Sequence, residues 1–217
     1  MNFTIAKNEM HMEKIKKLKN TAEIEFVEKK SVFIALAISV ESEEDALEII
    51  KQRKKKYHDA THNVYAYLLG DGTICRYSDD AEPQGTAGMP VLNAIRMSGI
   101  SNVLVIVTRY FGGILLGAGG LVRAYSTSAS MALEAGGIAI YESYSVLECK
   151  CSYSDYQRLP QILASYDAII DNTEFLENVE IKFAITEQAL DEFKEKINES
   201  FAGRIELKLI DTRLDSK

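Results

Sequence analysis

The 217-residue chain is long enough for one or two domains with buried cores, so folding needs neither disulfides nor a structural metal. Apolar residues make up 47% and charged residues 26%, the balance of an ordinary globular protein. The longest apolar runs, such as Val103–Val107, are far shorter than the roughly 18 residues of a membrane span, and Met1–Asn20 lacks the apolar segment of an export leader. We therefore expect a cytoplasmic protein.

The charge is distributed unevenly along the chain. Residues 1–137 hold 16 Lys+Arg and 16 Asp+Glu, whereas residues 138–217 hold 9 and 16 and carry the whole net charge of −7. This asymmetry indicates that the two parts meet different partners. The overall acidity argues against loose electrostatic binding to nucleic acid but permits a local basic patch.

The three cysteines, Cys75, Cys149 and Cys151, follow no repeating spacing, which is typical of reduced thiols in the cytosol. Cys149 and Cys151 alternate with charged residues, so on a strand both would face the core. A zinc site would need two more ligands nearby, and the sequence offers none.

Hydrophobic periodicity predicts the elements of the first part. Alternation predicts a half-buried strand over Thr21–Glu28, and a continuous apolar run predicts a strand covered on both faces over Ser31–Val40. Ser42 and Asp45 have capping-box spacing, and the acidic first turn and basic last turn that follow suit a helix dipole. The remaining predicted elements are a hairpin of His62–Leu69 and Thr73–Tyr77 across Gly70-Asp71-Gly72, a loop over Ser78–Gly88, a helix to about Ser98 with Pro90 in its first turn, a buried strand over Val103–Val107, a glycine-rich loop over Phe111–Gly120, and a helix that stops at Gly136-Gly137.

Gly136-Gly137 is the best candidate boundary, which gives domains of residues 1–137 and 138–217. The second reads as β-α-β-β-α-β, the ferredoxin-like arrangement. Pro160 falls inside its first helix, so we expect a kink or a late start there. Its predicted elements are a strand through Leu147–Tyr153, a helix capped by Ser154 with Gln157, strands over Ala168–Glu174 and Val179–Ile185, a helix with Leu190, Phe193 and Ile197 on one face, and a last strand with Ile205, Leu207 and Leu209 on one face.

The most specific motif runs from Thr108 to Tyr125, where a buried strand ends at Arg109, five glycines follow and a helix begins near Gly119. Glycines let an anion approach backbone N–H groups closely, the helix N-terminus adds positive charge, and arginines offer guanidinium forks. The motif is neither a P-loop nor a dinucleotide fingerprint. The alternative is that the glycines allow tight packing while the arginines pair with the acidic loop. The candidate anion-binding residues are Arg109, Gly112, Gly113, Gly117, Gly119, Gly120 and Arg123.

The predicted loop over Ser78–Gly88 contains three carboxylates, Asp79, Asp80 and Glu82. Three carboxylates this close could hold a hard cation or supply a general base, but loop acids are more often solvated or paired with arginine. We expect them to orient the arginines, with no metal and no cofactor bound.

His58 and His62 lie four residues apart, but the glutamate of a zinc-binding His-Glu-x-x-His motif is missing. A structural or recognition role is therefore the better prediction for both. The nearby run Lys54-Lys55-Lys56 is either a solvated helix end or a contact to a phosphate backbone.

Three motifs in this order resemble the YigZ/IMPACT family: His58–Asn63, Ser78–Pro83 with Gly85–Gly88, and Thr108–Gly113 through Gly120–Tyr125. The resemblance covers roughly residues 20–137, and the remainder looks like the second domain of bacterial members. This sequence departs from the family at Ala81, where glycine is usual, and at Pro160.

The resemblance implies an α+β protein. Its N-terminal domain would share the fold of a small-subunit ribosomal protein, of the fourth domain of elongation factor G and of the GHMP kinases; its C-terminal domain would be similar to the fifth domain of elongation factor G. Eukaryotic IMPACT relatives regulate translation during amino-acid starvation through protein contacts, by competing for an activator of an initiation-factor kinase.

We therefore expect a binding protein that acts in translation or its regulation through RNA, the ribosome or a protein partner. The alternative is an enzyme for a phosphorylated small molecule, with phosphate on the glycine loop and an aspartate of residues 79–82 as base or metal ligand. The loop lacks the serine-rich segment of the kinases that share this fold.

Overall fold

The computed structural model describes residues 14–70 and 72–216. Residues 15–140 form one compact unit, and residues 141–216 with Lys14 form another. The expectation about an export leader falls mainly on residues 1–13, and the predicted turn across Gly70-Asp71-Gly72 includes Asp71; both lie outside the described residues. Within the described residues, no helix has the length and apolar character needed to cross a bilayer.

The first unit is built on a five-stranded antiparallel sheet in the order β2-β3-β6-β4-β5. A short strand, β1, precedes the sheet and pairs with β7, which begins within this unit. The sequence analysis does not predict β1, because four residues that include two lysines give no clear periodicity. The strands are β1 (Ile15–Leu18), β2 (Ala22–Glu28), β3 (Ser31–Ser39), β4 (His62–Leu69), β5 (Ile74–Ser78), β6 (Val103–Tyr110) and β7 (Ile138–Cys151).

Helices cover both faces of this sheet. They are α1 (Glu43–Lys56), α2 (Gly88–Ser98) and α3 (Ala118–Gly136). Val105 of β6 packs in the core with α2 and α3, whereas Leu104 and Ile106 pack in a second core with Ile50 of α1. Because successive side chains of a strand point to opposite faces, a strand covered on both sides is apolar at every position. This explains the uninterrupted run over Val103–Val107.

The predicted capping of α1 is confirmed. The Ser42 hydroxyl oxygen accepts a hydrogen bond from the Asp45 N–H at 3.1 Å, and acidic residues fill the first turn. The predicted basic last turn also contains Arg53, which is only 5% exposed.

Arg53 is buried because neighbouring elements satisfy its guanidinium group. Its Nε donates to Thr108 Oγ1 at 3.1 Å, and its Nη1 forms an ion pair with Glu23. Burial opposes ionisation of Glu23, but the hydrogen bond and positive charge of Arg53 hold the pKa of that carboxyl below its ordinary value. Arg53 therefore links α1 to the sheet.

The second unit has the β-α-β-β-α-β order of a ferredoxin-like fold, with strand order β8-β9-β7-β10. Its helices and strands pack around a single main core that includes Leu147, Phe183 and Phe193. The elements that follow β7 are α4 (Tyr153–Tyr156), α5 (Leu159–Ser165), β8 (Ile169–Phe175), β9 (Val179–Thr186), α6 (Leu190–Phe201) and β10 (Leu207–Ser216), with a single 3-10 turn at Glu187–Ala189.

Proline interrupts the first helix of this unit, as predicted. The chain forms the short α4, breaks, and starts α5 at Leu159, so that Pro160 lies in a first turn where no N–H partner is needed. The predicted cap at Ser154 is wrong. The N-cap is Ser152, whose hydroxyl oxygen accepts from the Asp155 N–H at 3.1 Å.

The last strand also departs from the predicted pattern. A bulge between Leu209 and Asp211 shifts its register against β7, and Leu209 is 53% exposed instead of buried. A bulge inserts a residue and changes the direction of the side chains beside it, and Leu209 lies directly before this bulge.

The core of the second unit yields a stability prediction. Phe193 is fully buried, with edge-to-face contacts to Tyr166 and Phe183 at ring-centroid distances of 5.3 and 5.6 Å. Phe193→Ala should lower the free energy of unfolding by about 3–5 kcal/mol through lost burial and the cavity left behind. Denaturant unfolding measures the change. Ile170→Ala, at a half-exposed position, is the control, and an equal loss in both variants would contradict the assigned core.

Candidate functional site

A buried carboxylate lies at the centre of the sequence motifs of the first unit. Glu82 Oε1 accepts hydrogen bonds from Arg109 Nη1 at 2.5 Å and from the Tyr125 hydroxyl at 2.7 Å. His62 Nε2 lies 3.6 Å from the same oxygen. Arg109 is 5% exposed, Glu82 8% and Tyr125 0%. Burial, followed by the negative charge of Glu82, raises the pKa of Tyr125 above its ordinary value. One carboxylate thus joins the acidic loop to β6, α3 and β4.

Arg109 also fixes the start of the glycine loop. Its guanidinium carbon lies 5.5 Å from the centroid of the Phe33 ring and 5.7 Å from that of Phe111. Its Nη2 contacts Ser31 Oγ at 3.4 Å, and the same oxygen accepts the Gly112 N–H at 3.2 Å. Its Nε is buried without a hydrogen-bond partner among the described residues. At Arg109, the structure therefore shows the pairing with the acidic loop that the sequence analysis gives as the alternative.

Asp79 serves as the cap of α2. Its Oδ1 accepts the N–H groups of Ala87 at 3.1 Å and Gly88 at 2.8 Å, and its Oδ2 accepts the Gly85 N–H at 2.8 Å. A negative charge at a helix N-terminus is favourable, and three donors leave this carboxylate little capacity for another ligand.

Asp80 is engaged equally fully. Its Oδ1 accepts from Lys54 Nζ at 2.6 Å, and its Oδ2 accepts the Asn63 N–H at 2.6 Å. Its carbonyl oxygen lies 2.7 Å from His62 Nδ1. The next residue, Ala81, has φ +68°, a conformation that glycine adopts without steric cost.

The acidic loop is therefore organised around donors of the protein itself. Among residues 14–70 and 72–216, no group of three or more His, Cys, Asp or Glu side chains is arranged to hold a metal ion. The two candidate histidines differ in environment: His62 contacts Asp80 and Glu82, whereas His58 is exposed and makes no ion pair or side-chain hydrogen bond with other described residues.

The glycine loop is followed directly by the N-terminus of α3. Gly117 is the N-cap of α3, where no side chain of the described residues caps the first turn and no acidic residue lies in it. Gly119 and Gly120 belong to this turn, whose N–H groups carry the positive end of the helix dipole. Arg123, one turn further on, is exposed and forms no ion pair within the described part of the chain. Arg123 and the first turn of α3 are thus exposed, whereas Arg109 is buried.

The loop itself is exposed and partly apolar. Phe111 is 46% exposed and Leu115 84%, and Gly113 has φ +81°. Gly112 packs so closely on the backbone of Lys30 that an added Cβ would overlap the Lys30 carbonyl group. The β2–β3 turn therefore lies directly beside the start of the loop.

That turn is a feature that the sequence analysis misses. Lys29 and Lys30 have φ of +46° and +66° between the paired residues Glu28 and Ser31. Two-residue hairpin turns of this kind favour Asn-Gly, and a left-handed conformation costs other residues roughly 1–2 kcal/mol each. The two-residue gap between the predicted strands was the available signal, because a tight hairpin requires positive φ at both positions.

Comparison with known proteins identifies the two parts of the chain. Residues 29–133 match the model of the Impact N-terminal domain, and residues 149–204 match a domain of unknown function (DUF1949). The chain is 34% identical over 192 residues to the IMPACT family member YvyE of Bacillus subtilis, with 88% of each chain covered. It is 31% identical over 186 residues to the IMPACT family member YigZ of Escherichia coli, covering 84% of this chain and 91% of that one.

A solved structure described as a hypothetical protein has a similar fold. It superposes with a TM-score of 0.58 at 29% sequence identity and covers 92% of this chain and 98% of its own.

The buried cluster predicts a large stability difference between two substitutions. Glu82→Gln removes the counter-charge of buried Arg109 and should cost about 3–5 kcal/mol of unfolding free energy. Tyr125→Phe removes one hydrogen bond to the carboxylate and should cost about 1.5–3 kcal/mol. Denaturant titration gives both values. An equal or smaller loss in Glu82→Gln would show that the carboxylate does not hold the cluster together.

The close approach of Gly112 yields a second comparison. Gly112→Ala should displace the loop from the Lys29–Lys30 turn, because the new methyl group overlaps backbone that cannot move aside. Gly113→Ala should lower the free energy of unfolding by only about 1–2 kcal/mol, the cost of a positive φ at alanine, since an added Cβ there meets nothing within 4 Å. Limited proteolysis at the loop measures the effect, and faster cleavage only in Gly113→Ala would contradict this packing.

Proposed function

Because this chain belongs to the IMPACT family, we propose that it is a cytoplasmic binding protein of the translation machinery, and that it contacts ribosomal RNA through the glycine loop and the first turn of α3. The observation that carries this proposal is the open N-terminus of α3 beside an exposed arginine. Backbone N–H groups and a free guanidinium group are the donors that phosphate oxygens accept.

The two arginines of the motif have different roles in this proposal. Arg123 is exposed and lacks an acidic partner among the described residues, so its guanidinium group is available to a ligand. Arg109 is ion-paired to Glu82 and buried, and in this proposal it holds the loop in position and does not touch phosphate. Both arginines are predicted from the sequence to bind an anion, whereas we assign the phosphate contact to Arg123 alone.

The charge distribution supports a local contact. Residues 1–137 carry no net charge, so a general electrostatic attraction to RNA is weak and the contact depends on a few positioned donors. Binding of this kind is sensitive to salt in proportion to the phosphates contacted.

The alternative of an enzyme acting on a phosphorylated small molecule has less support. A general base or metal ligand needs a carboxylate oxygen open to the substrate or ion. Asp79, Asp80 and Glu82 are each held by two or more donors of the protein, so none is presented in that way.

Removal of one phosphate contact should be measurable in ribosome binding. Arg123→Ala should leave the fold intact, weaken co-sedimentation with ribosomes and make the plot of log affinity against log salt shallower by about 0.7–0.9. Lys194→Ala, at an exposed position of α6 in the second unit, is the control and should behave as the wild type. Unchanged salt dependence in Arg123→Ala would contradict the loop assignment, and absence of wild-type pelleting at low salt would contradict the ribosome as partner.

A further inference from the structure

We propose that the Lys29–Lys30 turn and the Phe111 ring together form a contact for single-stranded RNA, in which the two ammonium groups meet phosphates and the ring stacks on a base. This inference rests on the proposed function, because it assigns chemistry to the region beside the same glycine loop. It concerns residues that lie outside the glycine and arginine positions of the motif.

The lysine turn presents two free cations at a fixed place. Both side chains are exposed, and neither has an acidic partner within the described chain. Both residues hold a left-handed backbone that Asn-Gly would adopt at lower cost. Residues kept in an unfavourable conformation cluster at functional sites, and the feature that lysine adds here over Asn-Gly is its charge.

The packing of the loop places Phe111 next to the residue that contacts this turn. The Gly112 backbone lies against Lys30, and the Gly112 N–H donates to Ser31 Oγ. Phe111 directly precedes this contact, and its own N–H donates to Thr61 Oγ1 at 3.0 Å. The ring is 46% exposed. Hydrogen bonds on both sides therefore fix the backbone from which the exposed ring projects.

The environment of Phe111 suits a stacking surface. The guanidinium group of Arg109 lies 5.7 Å from the ring centroid and is itself anchored by Glu82. The adjacent Tyr110 is tied by its hydroxyl to Asp59 at 2.9 Å, which occupies that carboxylate. A ring on a rigid support loses little freedom when a flat base stacks on it.

Phosphates with an unstacked base fit these features better than the alternatives. Single-stranded nucleic acid is bound by cations that follow the backbone and by aromatic side chains that stack on bases. A duplex keeps its bases inside and leaves the ring unused. An acidic protein segment would satisfy the lysines but supplies no flat surface for Phe111.

The substitution Lys29→Asn with Lys30→Gly tests the charges without disturbing the turn. Asn-Gly favours the same hairpin conformation, so thermal stability should be equal or higher while two cations are lost. Binding of fluorescent oligouridylate, followed by anisotropy over a salt series, should weaken about tenfold near physiological salt, and the salt slope should fall by about 1.4. The control, Lys194→Gln with Lys196→Gln on exposed positions of α6, removes the same charge elsewhere and should bind as the wild type.

Phe111→Leu tests the ring separately. It keeps an apolar side chain but cannot stack, so affinity for oligouridylate should fall about tenfold with an unchanged salt slope. Wild-type binding to a duplex RNA of equal length should be correspondingly weaker and insensitive to this substitution.

Several outcomes would overturn the inference. The inference fails if the Asn-Gly variant binds oligouridylate as tightly as the wild type, or if the α6 control loses as much affinity. It also fails if Phe111→Leu has no effect, or if the protein binds polyglutamate in preference to RNA. If the wild type pellets with ribosomes while the Asn-Gly variant is unaffected, the proposed function stands and this inference fails. If the wild type neither pellets nor binds oligouridylate, both fail.

Discussion

The first unit depends on how a single buried carboxylate is neutralised. Glu82 lies in a loop, Arg109 in the central strand β6 and Tyr125 in α3. The three side chains are buried, and the arginine and the tyrosine both donate hydrogen bonds to the carboxylate. Such a group is costly to bury alone, so its partners cannot be exchanged independently. The ion pair therefore fixes the relative positions of the acidic loop, the sheet and the helix. It also determines where the glycine loop begins, because that loop leaves β6 immediately after Arg109.

Close backbone contacts fix the positions of the exposed loops relative to this buried cluster. Gly112 rests on the Lys30 carbonyl, and Gly88 approaches Ser78 so closely that an added Cβ would overlap its backbone. Asp79 closes the N-terminus of α2 with its own carboxylate. The protein itself satisfies the N-terminus of α2, whereas that of α3 has no side-chain cap among the described residues, and the proposed binding surface rests on this difference.

Much of the fold follows from periodicity and local signals. The strands β2, β3, β4 and β6, the Ser42 cap and the break at Pro160 were predictable because each depends on a few neighbouring residues. The start of α3 near Gly119 was predictable for the same reason. The burial of Arg53 and Arg109 could not be read from their sequence neighbours, since it depends on Glu23, Thr108 and Glu82, which are distant in the chain. The bulge in β10 is likewise set by its register against β7.

The measurement that tests this account most directly is an amide NMR titration of the isotopically labelled chain with oligouridylate. If the lysine turn and the glycine loop bind RNA, the amides that shift should be those of Lys29, Lys30, Gly112 and the first turn of α3. The amides of Glu82 and Asp79 should stay unchanged, because the hydrogen bonds of these residues within the protein persist. Shifts confined to the second unit, or shifts that spread through the Glu82 cluster, would contradict a preformed surface held by that buried ion pair.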